Sequence, residues 1–153
     1  MRVAIGSDHA GYQLKEHVRT WMSERRIDVR DVGPHTFDPA DDYPDFARAV
    51  AELVRTGQVD LGVVVCATGV GSCIAANKVR GVRAALVQEA FSARLSRLHN
   101  DANVLCLGAS IVAPRYAEEI LAAWLEVSFS GEERHRRRLD KVAQIEARED
   151  AQP

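Results

Sequence analysis

An apolar run, Leu61 to Val65, ends in Cys66 and passes directly into Ala67-Thr68-Gly69-Val70-Gly71-Ser72. Small residues and glycines ahead of a helix let main-chain N–H groups converge on an anion. A thiol at the mouth of such a loop suits three chemistries: redox exchange, a nucleotide cradle, or proton transfer on a small phosphorylated substrate. Redox exchange wants a second cysteine at C-x-x-C spacing, and Cys73 is too far along the chain. A dinucleotide fingerprint would need glycine where Ile74 stands, and this loop follows the third strand instead of the first. The loop after the first strand, Gly6 to Gly11, lacks the Lys-Ser/Thr of a phosphate loop and carries Asp8, whose charge repels phosphate. Proton transfer meets no such objection, since the Thr68 hydroxyl and a helix N-terminus favour a thiolate at Cys66. The same position equally suits a cysteine that only fills space, which is how Cys73 and Cys106 are read.

Other reactive side chains fall into two groups. His9 follows Asp8 at the end of the first strand, where polar side chains would face a ligand. His99 closes a helix beside Asn100 and Asp101, either as a reacting group or as a cap favourable to the helix dipole. His17, on a charged helix face, and His35, in a long loop, are read as solvated. No two histidines or cysteines have metal-ligand spacing. The basic segment Glu133 to Lys141 reads as a solvated helix face or a nucleic-acid patch. It has no aromatic platform and the net charge is -2, which disfavours nucleic acid. Arg134 and Arg138, four apart, share one helix face and could grip one phosphate.

The elements that must hold these groups alternate. Residues 2–6, 27–32, 61–66, 83–87 and 104–108 read as strands. Helical periodicity covers 12–25, about 46–57, a stretch from about Ser72, 90–99, 114–127 and 132–149, with 33–45 as a long polar loop. The run at 61–66 is apolar without alternation, as in a central strand covered on both faces. The pattern predicts a three-layer α/β Rossmann-like fold, a five-stranded parallel sheet with helices on both faces. Ligands of such folds sit at the carboxyl ends of the strands, here Gly6 to Gly11, Cys66 to Gly71 and the region around Gly108. We expect one domain over 1–149 and a frayed tail at 150–153. Three cysteines without regular spacing, no apolar stretch long enough to span a bilayer and a polar N-terminus predict a soluble cytoplasmic protein.

Taken in order, the segments Gly6–Gly11, Asp42–Ala47, Cys66–Lys78, Ser96–Leu105 and Gly131–Leu139 resemble the type B ribose-5-phosphate isomerases and their galactose- and allose-6-phosphate isomerase relatives. The resemblance spans roughly 2–146. It implies a homodimer, or a tetramer of paired dimers, whose active sites are each completed by the neighbouring subunit, with no metal or organic cofactor. It further implies that Cys66 removes the proton beside the sugar carbonyl, with Thr68 in the catalytic set and His99 as ring-opening acid. Asp8 and His9 would hold sugar hydroxyls, Tyr43 and Asn100 would lie near the substrate, and Arg134 and Arg138 would bind the phosphate. Main-chain N–H groups of Ala67, Thr68, Gly69, Val70 and Gly71 would face the enediolate oxygens. A thiol of ordinary pKa, about 8.5, needs only a modest shift to act as a base near neutrality.

Three departures stand out. Ala67 replaces the glycine of many members, Ser110 stands where a phosphate-binding arginine is usual, and one extra residue precedes Arg134. Arg115, five residues after Ser110, is the candidate replacement. The expected reaction is ribose 5-phosphate to ribulose 5-phosphate in pentose phosphate metabolism. The same chemistry on a four-carbon sugar phosphate such as erythrulose 4-phosphate, or a six-carbon one such as allose or galactose 6-phosphate, is the alternative. A non-catalytic phosphosugar-binding protein is a third reading, against which the retention of both Cys66 and His99 argues.

Overall fold

The computed structural model describes residues 1–149, so the expected tail at 150–153 lies outside the described residues. Five strands, β1 (Arg2–Ser7), β2 (Asp28–Asp31), β3 (Leu61–Cys66), β4 (Ala84–Leu86) and β5 (Val104–Gly108), form one sheet in the order β2-β1-β3-β5-β4. Every pairing is parallel. The helices are α1 (Tyr12–Glu24), α2 (Tyr43–Arg55), α3 (Val70–Ala76), α4 (Ala90–Asn100), α5 (Pro114–Leu125) and α6 (Glu133–Glu149). This is the Rossmann-like α/β sandwich that the alternation predicts.

Side-chain alternation sorts the core into two layers. Val63, Val65, Leu105 and Leu107 pack with Leu14, Val18, Ala93, Ile120 and Trp124, the inner faces of α1, α4 and α5. Val64, Val104 and Cys106 pack with Ala47, Val50 and Ala51 of α2 and Ala76 of α3. Val63, Val64 and Val65 have no exposed surface, which is why this strand carries no polar residue. Burial of each contributes about 1.5–3 kcal/mol relative to exposure.

Of the boundaries that differ from expectation, three have a clear physical reason or bear on the site. α2 starts at Tyr43 because Pro44, which needs no N–H donor, fits the first turn of a helix. α3 starts at Val70, directly after Gly69. β4 has only three residues, having solely β5 to pair with at the sheet edge. Two side chains also differ. His17 is not merely solvated: its Nε2 lies 2.8 Å from Glu118 Oε1, where α5 crosses α1. Cys106 is buried as expected, whereas Cys73 is only half-buried, its thiol donating to the Ala84 carbonyl at 3.4 Å. Among the described residues, no helix is long and apolar enough to cross a membrane.

Candidate active site

The chain leaves β1 for β2 on one side and returns to β3 on the other, so the crevice between the ends of β1 and β3 is the topological switch point. Cys66, last residue of β3, opens onto it with 4% of its surface exposed. The N–H of Gly69 donates to Cys66 Sγ at 3.1 Å. That turn is held from the neighbouring strand, where the N–H groups of Ala109 and Ser110 donate to the carbonyls of Cys66 and Ala67, both at 2.9 Å. Gly69 has φ +79°, a left-handed conformation, and a Cβ there would lie 2.5 Å from Leu86 Cδ1. Of the amides expected to face an oxyanion, that of Gly69 is turned onto the sulfur, and that of Val70 lies 3.4 Å from Thr68 Oγ1. The amide of Gly71 is in the first turn of α3, where a helix provides no internal acceptor. The Tyr43 ring lies against this loop, so close that a Cβ on Gly71 would fall 2.6 Å from Cζ.

The opposite wall comes from β1. Asp8 is 6% exposed, and its Oδ1 accepts from the Gly11 N–H at 3.0 Å, capping a short 3-10 turn over His9–Gly11. His9 is held by Asp41, whose Oδ1 accepts from the His9 main-chain N–H at 2.7 Å and lies 2.8 Å from Nδ1. The Asp41 hydrogen bond raises the His9 pKa above the ordinary imidazole value, against a smaller opposing effect of desolvation. A cleft of about 510 Å³ continues from here between His9, Gln13, His17, Phe37, Ala109 and Val112.

A second cluster holds the remaining expected residues. His99 and Asn100 close α4, and the His99 ring packs on that of His135 with centroids 4.3 Å apart. His135 is 2% exposed, with Nδ1 2.9 Å from Ser130 Oγ. Burial holds its pKa below the usual value, and the charges of His99, Arg134 and Arg138 act the same way. Arg134 and Arg138 are exposed on α6, Arg134 Nε donating to Glu132 at 2.8 Å. The exposed Asn100 borders a cavity of about 600 Å³ that runs past Arg83 to Leu139 and Ile145.

The two clusters do not meet within one chain. Cys66 pairs in register with Gly108 at the far end of β5, while His99 precedes Val104 at its beginning. Four residues of strand, roughly 13 Å at about 3.3 Å each, lie between these two levels of the sheet. Arg115, proposed from the sequence to replace an arginine at Ser110, is 89% exposed and lies 3.6 Å from Glu118. Asp41 and His135 were missed by sequence reasoning. Asp41 carries no signal within a run of polar residues. His135 does carry one, for it shares helical spacing with Leu139 and Val142, an apolar stripe along one face of α6.

The environment of Cys73 favours a thiolate. A hydrogen bond with Cys106 is the main cause of a pKa lowered to about 7, while Cys106 is pushed up. Its sulfur, however, is directed to Ala84 at the start of β4, away from the crevice.

Fold and site together define a parallel α/β protein with a thiol loop and an imidazole flanking its switch-point crevice. The chain belongs to the ribose/galactose isomerase family, whose sequence model matches residues 3–142. Ribose-5-phosphate isomerase B of Clostridium thermocellum superposes with a TM-score of 0.94 at 45% identity, over 97% of this chain and 99% of that one. The Mycoplasma genitalium enzyme of the same name, solved with bound ribulose-5-phosphate, gives 0.90 at 44% identity over 95% and 96%. D-erythrulose-4-phosphate isomerase of Pectobacterium atrosepticum is 37% identical over 134 residues, 86% of each chain.

Proposed function

We propose that this protein is an aldose–ketose isomerase interconverting ribose 5-phosphate and ribulose 5-phosphate. The observation that carries the reading is Cys66 Sγ at the switch point with the Gly69 amide aimed at it, in a chain of this family. As a thiolate, Cys66 takes the proton from C2 of the open-chain aldose. The electron pair moves to form the 1,2-enediolate, the hydroxyl proton on O2 passes to O1, and the proton taken from C2 returns at C1 to give the ketose. First-turn amides of α3 face the oxygen that gains charge, a contribution for which losing one donor typically costs on the order of a hundredfold or more in rate. The Tyr43 ring covers the loop and limits water around the intermediate.

His99 is the ring-opening acid, and Arg134 with Arg138 receives the phosphate. These groups lie at the opposite end of the sheet from Cys66, which supports a twofold homodimer in which each chain lends its His99 end to the other's Cys66 end. Two such contacts close on themselves and yield two complete sites.

A second reading keeps the mechanism and shortens the sugar. Ser110 in place of a phosphate-binding arginine favours it, together with the similarity to a D-erythrulose-4-phosphate isomerase. A coupled isomerisation assay with four-, five- and six-carbon aldose phosphates separates the two. Highest kcat/KM on ribose 5-phosphate supports the first, highest on erythrose 4-phosphate the second, and turnover of none overturns both.

A further inference from the structure

We infer that Asp41 is a positioning residue for His9, clasping its main chain and ring together so that Nε2 is presented to the substrate crevice. The kinetic consequence rests on the isomerase reading, while the pair itself rests on geometry. One carboxylate oxygen, Asp41 Oδ1, takes the His9 main-chain N–H at 2.7 Å and meets Nδ1 at 2.8 Å. The Asp41 side chain is 10% exposed, and its Oδ2 is buried with no hydrogen-bond partner among the described residues. A carboxylate so desolvated needs a charge-assisted donor, and His9 supplies it. With Nδ1 holding its proton toward Asp41, Nε2 is the ring atom left for a ligand.

The surroundings limit the ring further. Phe37 stands edge-on to it, with centroids 6.3 Å apart and planes at 90°. The charged groups nearest the ring are Asp8 and Asp41; His17 of α1, engaged by Glu118 of α5, lines the same cleft. Asp41 also precedes Tyr43 by two residues. The clasp therefore joins the β1 wall of the crevice to the ring that covers Gly71, and a loop without regular structure is fixed where both walls need it.

The test uses the full chain and two independent readouts. Ring 15N NMR reports the tautomer and titration of His9, and steady-state kinetics with ribose 5-phosphate report its use. Asp41→Asn keeps size and removes charge, so the His9 titration midpoint should fall. Asp41→Ala should also abolish the preference for a proton on Nδ1. Both should lose about tenfold or more in kcat/KM, mostly through KM, as for loss of a charge-assisted hydrogen bond that orients a binding group. Asp41→Glu should recover part of each effect. Asp38→Ala, which removes an exposed cap on the Ala40 N–H in the same loop, should move neither readout. An unchanged His9 titration in Asp41→Asn overturns the inference, as does an equal shift in Asp38→Ala, which would mean general loosening of the loop. A shifted titration with undiminished kcat/KM overturns the kinetic role. If the wild-type chain turns over no sugar phosphate, the isomerase reading fails, and the NMR arm still decides whether Asp41 sets the state of His9.

Discussion

The main-chain N–H of Gly69 donates to Cys66 Sγ at 3.1 Å, closing a three-residue turn from the end of β3 to the start of α3. That amide points at the atom that carries charge once the thiol has lost its proton. Cys66→Ala removes the proposed base and little volume, so turnover should fall by roughly a hundredfold to ten-thousandfold, the usual contribution of a positioned base. The thermal midpoint should barely change. Cys73→Ala should retain most activity, although the Cys73 pKa is lowered to about 7, because its sulfur faces Ala84. A Cys66→Ala protein with wild-type rates, or a dead Cys73→Ala protein that folds normally, would reverse the assignment.

His135 predicts a particular acid limb in the stability profile. Burial and the charges of His99, Arg134 and Arg138 hold its folded pKa below the ordinary value, so the unfolded chain binds a proton that the folded one refuses. Stability is then whole above the unfolded value, about 6.5, and declines as pH falls below it. His9 acts in the opposite sense: Asp41 raises its pKa, so its contribution is present below about 6.5 and is lost as pH rises through the raised value. Melting temperatures recorded between pH 5 and 8 should therefore fall less steeply on the acid side in His135→Gln than in wild type. Identical acid limbs would show that His135 does not carry this dependence.

How much of this was legible beforehand depended on whether a signal is local. Val63, Val64 and Val65 announce a strand covered on both sides because three consecutive apolar residues must face alternate layers. Cys66 and His99 could also have been set apart, since a residue ending a parallel strand and one ending a crossover helix lie at opposite sheet ends. Tyr43 looked like loop because Pro44 reads as a breaker, yet proline is tolerated in a first helical turn. Asp41 had no local mark at all. Its role appears only when the loop folds back across α1 to a partner 32 residues earlier.

Lys15 anchors the start of that same loop. Its side chain is fully buried, and its ammonium donates to both oxygens of Asp31 at 3.1 and 2.9 Å and to the Pro34 carbonyl at 2.7 Å. Lys15→Met deletes the cation that sits on both Asp31 oxygens and leaves Asp31 with the Gly33 N–H at 2.8 Å and Arg19 Nε at 3.7 Å. Deleting one partner of a fully buried pair costs about 3–5 kcal/mol; with Asp31 18% exposed, water recovers part and about 2–3 kcal/mol is expected. The urea midpoint should drop accordingly, and KM should rise as the strap carrying Asp41 and Tyr43 loosens. An unchanged midpoint would mean that Met packs as well as the ion pair, and the anchoring role would fall.

The phosphate end carries the sharpest test of substrate identity. Ser110 is exposed, one hydrogen bond away from the catalytic loop through its N–H to the Ala67 carbonyl at 2.9 Å. A cation placed there would be within a side chain's length of the crevice. Arg115, the candidate replacement, is 89% exposed and lies 3.6 Å from Glu118 on α5. On the proposed reading phosphate binding falls mainly on Arg134 and Arg138, and a missing charge-assisted hydrogen bond is worth roughly 1.5–3 kcal/mol. Arg138→Ala should raise KM steeply with a smaller effect on kcat, because phosphate is gripped about equally in ground and transition states. Ser110→Arg should lower KM for ribose 5-phosphate by up to about tenfold if the five-carbon sugar is the natural substrate, by restoring a third cation at the phosphate. If Ser110→Arg instead weakens ribose 5-phosphate and wild type prefers a four- or six-carbon phosphate, the pocket was shaped for that length. The pentose assignment would then give way while Cys66 kept its role.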